Sequence, residues 1–378
     1  MKCSELPRSI IRTFLFLCCA FLLTQTYFLF AEYLQYRTQM EVRIKHEIVL
    51  FPAVTFCSIT SNEQNNLKNS SSDSNCSQLK SEEFILDCSF NREPCALQTL
   101  RRLHFYNDCC FSFNNKYVEP QHAVHPGAEF GLRLILKTSG SSGGVRIIVH
   151  EQELAPMILQ YGRNAPAGHN TAMSFKHKVI HRLSEGNGQC SKKVERIIGF
   201  RYGFHYSQEL CVSDCLKQSI MKSCRCIQPH HPSYSRSICA RNNSEQYACM
   251  EREVASFYAN GNRDCHCAPL CDEVVYDTSL SIIALPSLVS TCVSSNSSIS
   301  TTNTCSDHDS SNIAIINVYS GQAHFEDHSE KAVYPLNRFL YDVARNGILL
   351  VLVAMMIPAR KKMKGAIALE ERIALNSA

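Results

Sequence analysis

The chain has 378 residues, enough for one large core or two modest ones, with 38 basic against 34 acidic side chains and a net charge of +4. That near balance, with no Arg/Lys stripe interleaved with aromatics, argues against a nucleic-acid partner. No Walker loop, no G-x-S-x-G elbow and no H-E-x-x-H helix occurs, so the sequence offers neither an enzyme nor a cofactor site.

Residues 13–31, TFLFLCCAFLLTQTYFLFA, carry no charge over about the length that spans a bilayer. Arg8 and Arg12 precede them, which places residues 1–12 in the cytoplasm by the positive-inside tendency. A cleaved signal peptide with its apolar core at 14–23 is the competing reading, and it would leave a secreted Cys-rich binding glycoprotein. Apolar character resumes at 27–30 and no Ala-x-Ala site follows, so a retained transmembrane helix over 13–31 is expected, with Tyr33 and Tyr36 at its outer interface.

Beyond it, residues 32–340 read as one extracellular domain. LFPAVTFCSIT (50–60) is apolar and β-branched with Pro52 near its start, a strand entering a sheet. The Asn/Ser-rich stretch 61–83 reads as a solvated loop. Residues 95–113 have apolar positions at mixed helical spacing and predict a short helix. PGAEFGLRLILKT (126–138) and VRIIVH (145–150), separated by a Ser/Gly-rich turn, predict a hairpin. The Ser/Thr-rich segment 291–311 predicts a flexible, glycosylated surface loop closed by Cys292 and Cys305, and NIAIINVY (312–319) predicts a returning strand.

Cysteine usage locates this domain. Of 21 cysteines, 18 fall between Cys57 and Cys305, and the four sequons, Asn69, Asn75, Asn242 and Asn296, fall in the same block. Thiols and glycosylation sites confined together indicate an oxidising lumen. The densest run is Cys211-x3-Cys215-x8-Cys224-x-Cys226-x12-Cys239-x9-Cys249-x15-Cys265-x-Cys267-x3-Cys271. A zinc cluster competes with a disulfide ladder here, but zinc knuckles favour two or more residues between paired thiols. In C-x-C pairs, successive cysteines are expected to point apart and to find distant partners, which favours disulfides. Nine thiols leave at least one needing a partner outside the run, and Cys190 is the candidate. Of the fifteen histidines, His230-His231 and His324/His328 group most closely, but loop histidines are common and no proton sensor is read from them.

FPAVTFC (51–57) just after a first span closely resembles the signature of the degenerin/epithelial sodium channel family. The Y-S-x3-C-x3-C…C-x-C and C-x-C-x3-C pattern of 206–271 is similar to that family's, and GLRLIL (131–136), VRIIVH, PAGHNTAM (166–173) and RLSEGNGQC (182–190) follow in its order. The resemblance covers roughly residues 13–344. It implies an α+β membrane protein in which two transmembrane helices flank a large disulfide-rich extracellular domain, with a β-sheet palm and helical thumb and finger lobes. Cys190 to Cys271 would staple the thumb, and Cys57 joins the disulfide candidates. It further implies a homo- or heterotrimer with related subunits around one sodium-conducting, amiloride-sensitive pore, opened by a ligand or by force. The chain would be a multi-pass protein of the plasma membrane, in contact with the lipid bilayer, with both termini cytoplasmic.

The C-terminal part departs from the family. The second span is expected at 341–359, yet the Gly-Gly after Asp342 is replaced by Ala344-Arg345. The Gly-x-Ser constriction falls on Leu352, Val353 and Ala354, and the following Glu on Arg360. The apolar run 347–359 makes only about 20 Å of helix against a hydrocarbon core of about 30 Å. Extending it upstream brings Asp342 and Arg345 into lipid at roughly 2.5–3.5 kcal/mol each, partly offset by pairing at i, i+3. Pro358 removes a helical donor, and Arg360, Lys361, Lys362 and Lys364 form a basic cytoplasmic stop over 360–378. Asn187 stands where acid-sensing relatives carry a tryptophan, the chain has no Trp, and the N-terminal His-Gly pair is absent. These departures point to an alternative: a non-conducting accessory subunit assembled with full-length relatives.

Overall fold

The computed structural model describes residues 8–59, 81–95, 100–105, 108–138, 143–184, 190–192, 203–228, 237–239, 242–261, 265–297 and 300–349. The chain divides into two compact units, Met1–Met40 with Glu185–Asn187 and Glu330–Ala378, and Glu41–Ser184 with Gly188–Ser329.

The first unit holds helix α1, Arg8–Tyr33, whose 26 residues extend about 39 Å. Its stretch Phe16–Tyr33 has a mean hydropathy of 1.3 and none of it is buried by protein. Among the described residues it is the one helix long and apolar enough to cross a membrane. Apolar side chains such as Phe16 and Leu23 project outward uncovered, which water would penalise and lipid would not. Residues 336–349 are also helical. Phe339 from that helix stacks on Tyr33 at 4.8 Å, and the Val333 N–H donates to the Arg37 carbonyl at 2.9 Å. Asp342 accepts from the Tyr334 hydroxyl at 2.8 Å and faces Arg345 at 4.0 Å, one helical turn on.

The second unit is built on strands β1 (Thr38–Lys45), β2 (Val49–Leu50), β3 (Ala53–Ile59), β4 (Ile85–Phe90), β5 (Glu93–Pro94), β6 (Leu100–Phe105), β7 (Asp108–Phe113), β8 (His122–Ala123), β9 (Leu132–Lys137), β10 (Gly144–His150), β11 (Arg163–Pro166), β12 (His169–His181), β13 (Asp272–Ala284), β14 (Leu288–Ser297), β15 (Ser300–Asp309), β16 (Ile313–Ser320) and β17 (Phe325–Ala332); β1 and β17 each run a few residues past its boundary. One sheet runs β1-β17-β12-β16-β9-β4-β5, with β13 paired to β12; a second runs β11-β10-β3-β7-β6. Strand β12 organises the first sheet: β13 pairs with all 13 of its residues, while β16 and then β17 lie parallel to it. Between those two the partner strand breaks, and the Gly321 N–H reaches the Phe175 carbonyl at 2.9 Å.

The two sheets share one core. Phe51, fully buried just before β3, meets Phe90 at 4.9 Å, Phe175 at 5.4 Å and Phe113 at 6.0 Å, all edge-to-face. Those rings come from both sheets, so a single side chain fastens them. Gly131 is required where β9 begins, because an added Cβ would lie 2.2 Å from the Val318 carbonyl oxygen.

Three expected elements differ. The helix over 95–113 is two antiparallel strands, β6 and β7. In β7, Phe111 and Phe113 face the main core while Cys110 faces a second cluster with Leu103 and Cys57, so both faces are buried and no two-residue alternation survives to be read. The hairpin over 126–150 does not form: β9 pairs with β4 and β16, whereas β10 pairs with β3 and β11 in the other sheet. Apolar pattern identifies a strand but not its neighbour. The segment 291–311 is not a loop: β14 and β15 form a ten-pair antiparallel ladder with Cys292 opposite Cys305. Thr and Val in it carry β propensity that the Ser-rich composition obscured.

A buried polar relay crosses the second sheet. His150 lies with Nε2 2.8 Å from the Thr55 hydroxyl and Nδ1 2.8 Å from the Glu151 carbonyl, and Thr55 is 3.0 Å from the Ser112 hydroxyl. The Glu151 carbonyl can only accept, so Nδ1 carries the proton of the neutral ring and Nε2 faces the Thr55 hydroxyl as an acceptor nitrogen. Burial lowers the His150 pKa from 6.5 to about 4. The unfolded chain therefore takes up a proton near 6.5 that the folded chain refuses until about 4. Stability contributed here is complete above that window and falls by roughly 3 kcal/mol across it. Urea midpoints at pH 7 and pH 5 will measure this, and His150→Gln is expected to flatten the slope; an unchanged slope would refute it.

Candidate functional site: a cysteine-stapled helix pair on a charged sheet

Helix α2, Gln208–Cys224, begins where the Ser207 hydroxyl accepts from the Leu210 N–H at 3.2 Å and ends at Arg225, in the left-handed region at φ 56°. Helix α3, Ser244–Ala259, is capped by Asn243 in the same way. Between them lies a small cluster, Leu216, Ile220 and Met250 with four cysteines. So small a core needs covalent support.

The staples supply it. Cys211 bonds Cys267, Cys215 bonds Cys265, Cys224 bonds Cys249, Cys226 bonds Cys239, and Cys190 bonds Cys271. The expectation that C-x-C cysteines diverge does not hold for Cys265 and Cys267, which both reach α2. One helical turn and two residues of extended chain each advance about 6 Å, so a C-x3-C on a helix matches a C-x-C on a facing non-helical segment. In the other sheet Cys57 bonds Cys110, and Cys88 bonds Cys95.

The base of this lobe is tied to β12 and β13. The Arg182 guanidinium donates to the Leu270 carbonyl at 2.7 Å and to Glu273 at 2.6 Å, while its backbone N–H donates to the Cys271 carbonyl. The Tyr206 hydroxyl donates to the Ala268 carbonyl at 2.6 Å, and the Gln208 amide to that of Cys267 at 3.1 Å. The helix pair is therefore attached by hydrogen bonds at the ends of two sheet strands.

Those strands carry alternating charge towards β17 and β1. Asp327, buried, accepts from Lys45 at 2.7 Å and lies 3.5 Å from His181, which in turn meets Asp272 at 2.6 Å. Lys178 pairs with Asp277 at 2.6 Å and Glu326 at 4.0 Å, and Glu326 also accepts from His328 at 2.8 Å. The Lys45 hydrogen bond holds the Asp327 carboxyl below the usual range, the His328 hydrogen bond does the same for Glu326, and the Asp277 hydrogen bond raises Lys178. Behind this band, His177 stacks on Tyr276 at 5.4 Å and meets Phe325 at 5.2 Å, with its pKa lowered by burial.

Asp327→Asn keeps the shape and removes the charge that Lys45 and His181 face. It is expected to cost about 1–2 kcal/mol at pH 7. The depressed carboxyl contributes stability above the ordinary carboxylate range, and that stability disappears as pH falls through its lowered folded value. The mutant deficit should therefore shrink only below about pH 4, a window apart from that of His150. A deficit unchanged between pH 7 and pH 3 would count against the ion pair as its source.

Asn242 is exposed just ahead of α3, and Asn296 sits near the tip of the β14–β15 ladder. Asn69, Asn75, Asn187, His230, His231, Leu352, Val353, Ala354 and the 360–378 tail lie outside the described residues. The charged band was missed from sequence: its members come from four strands far apart in the chain, and only the run Glu326-Asp327-His328 inside one strand hinted at it. Among the described residues, no three His, Cys, Asp or Glu side chains are gathered as a ready metal centre.

Residues 60–344 match a family model described as amiloride-sensitive sodium channel. The chain is 31% identical over 283 residues to degenerin unc-8 of Caenorhabditis elegans, covering 70% of this chain and 36% of that protein. It is 26% identical over 287 residues to the degenerin-like protein unc-105 of the same organism, covering 69% and 32%, and 24% identical over 291 residues to its degenerin-like protein asic-2, covering 69% and 53%. The chain thus spans about a third of the length of the first two. The solved structure of a proton-activated chloride channel aligns at TM-score 0.41 and 6% identity over 94% of this chain and 98% of its own, too slight a likeness to inform the reading.

Proposed function

The chain belongs to the amiloride-sensitive sodium channel family, and on that premise we propose that it is a subunit of a plasma-membrane sodium channel gated by a ligand or by force acting on its extracellular domain. The observation that carries the reading is continuity. The stapled helix pair is tied to β12 and β13; β12 pairs with β17; and in the chain α1 leads into β1 while β17 leads into the helical residues 336–349. Motion of the lobe has a hydrogen-bonded path into both strands that adjoin those helices in sequence. The helix at 336–349 begins the second span in this reading, with Asp342 and Arg345 neutralising each other.

The subunit assembles as a homo- or heterotrimer, and the transported ion is sodium. One sequence observation favours a heteromer in which this chain has an accessory role: Leu352, Val353 and Ala354 occupy the place of the small-residue constriction, and an unbroken aliphatic run offers no ion-coordinating groups. Expression in oocytes alone, and together with a full-length degenerin, distinguishes the readings. Amiloride-blocked sodium current from the chain alone at normal surface level establishes a conducting subunit and removes the accessory role. No current alone, with altered current on co-expression, establishes the accessory role. Neither, at normal surface level, would overturn both.

A further inference from the structure

A cavity of about 290 Å³, at the lower end of ligand-sized pockets, opens between the two sheets of the second unit. Strand β10 and the turn into β11 form one wall, and β12 with β13 the other. Val149 and Met173 supply apolar surface, while Tyr276 and Thr278, two residues apart on β13, point to the same face. Gln160 and Arg163, both exposed, complete the lining, with Arg163 set opposite Ile147 at the start of β11. These polar groups lack protein partners. The Tyr276 ring is held, stacking on His177 at 5.4 Å and meeting Phe175 edge-on at 5.8 Å. Its hydroxyl, however, has no hydrogen bond among the described residues, and neither have the side chains of Gln160, Arg163 and Thr278. Burial, with Glu151 beyond the lining adding to it, raises the Tyr276 phenol, and burial with Glu209 does the same for Tyr161 on the lining, so both stay O–H donors. Neither carboxylate lines the cavity, and the one ionised side chain that does is Arg163.

We propose that this cavity binds a small organic anion, a carboxylate carried on an aromatic or branched aliphatic body. The Arg163 guanidinium offers a fixed fork of N–H donors that matches a carboxylate and stays charged at any physiological pH. Val149, Met173 and the Tyr276 ring cover the apolar body, and the Tyr276 and Thr278 hydroxyls with the Gln160 amide meet the remaining acceptors. An inorganic anion would leave the apolar wall unused, and an organic cation would face an unpaired guanidinium. Occupancy ties β10 and β11 of one sheet to β12 and β13 of the other, and so stabilises that arrangement. The site stands whether or not the chain conducts.

The test uses the full chain in detergent with its disulfides intact and follows the fluorescence anisotropy of indole probes, to which a chain without tryptophan adds no indole background. Indole-3-acetate, 3-methylindole and tryptamine share one ring system and differ in charge. Saturable binding is expected, with the acid tightest and the amine weakest. Arg163→Gln should weaken indole-3-acetate by about 10-fold or more, the effect of losing a charged hydrogen bond, and bring it level with 3-methylindole. Tyr276→Phe removes a hydroxyl that has no protein partner and keeps the ring contacts, so it is expected to fold; it should weaken the acid by roughly 3-fold or more. Arg133→Gln, at an exposed arginine outside the lining, should bind as the parent does. Urea midpoints verify the folding of each variant. Absence of saturable binding of the acid overturns the proposal, as does tighter binding of tryptamine. Acid binding left unchanged by Arg163→Gln or by Tyr276→Phe is uptake by detergent or another site, and it overturns the proposal equally.

Discussion

Phe51→Ala is expected to cost the extracellular unit about 3–5 kcal/mol, the largest effect of any single substitution in it. Phe51 is fully buried, and its ring contacts Phe90, Phe113 and Phe175, which belong to two different sheets. Truncation removes the transfer free energy of a whole aromatic side chain and leaves a cavity that neither sheet can close, because each is held by its own ladder. The neighbouring Asn114 amide donates to the Phe51 carbonyl and to that of Gln121, so the backbone is pinned and cannot collapse into the space. Phe51→Leu should recover most of the loss. Leu288→Ala, at a side chain 62% exposed, should stay within about 0.5 kcal/mol. Urea unfolding followed by far-UV circular dichroism decides it. A Phe51→Ala deficit below about 1 kcal/mol would mean that the two sheets are not fastened through this ring.

Removing the Cys190–Cys271 bridge with paired serines is the second large effect. The bridge spans 81 residues, but the Cys211–Cys267 rung lies within it and remains closed. The loop that the outer bridge alone closes is therefore roughly 25 residues, worth about 3.5 kcal/mol on chain entropy. The distribution of the damage is the sharper expectation. Helices α2 and α3 keep four bridges and their capped ends, so their amides should exchange with deuterium at the parent rate. Amides around Arg182, Ser191 and Cys271, whose hydrogen bonds form the lobe's attachment, should exchange faster. If protection were lost uniformly over both helices instead, the bridge would be a general support of the lobe and not its hinge to the sheet. In the proposed channel, the same variant should reach the surface yet respond poorly to whatever moves the lobe.

Much of this was written plainly in the chain. FPAVTFC reads as a buried strand because apolar and β-branched residues run without a break, and it became β3. The uncharged run at 13–31 marks α1 by length and hydropathy alone. Spacing of the cysteines indicated an oxidised, stapled lobe because its C-x-C pairs lack the two or more intervening residues that zinc knuckles favour. Other features were hidden for identifiable reasons. Strand β7 is buried on both faces, so it lacked the alternation by which a strand declares itself. The C-x-C sulfurs of Cys265 and Cys267 converge on α2 because their backbone step matches a helical turn, a relation that needs both partners to be known. Strands β9 and β10, neighbours in sequence, went to different sheets, and nothing local in either records its eventual partner.

Local chemistry therefore determined what each segment is: a helix suited to lipid, strands for a core, thiols for bridges. Tertiary structure alone decided which segments meet. The charged band of Lys45, Lys178, His181, Asp272 and Asp327 depends on residues up to about 280 positions apart, brought together by the registers of β12 with β13, β16 and β17. Hydrophobic periodicity is a property of one segment and survives in its sequence. Electrostatic geometry is a property of pairs of segments, and it exists only once the sheet has set their register.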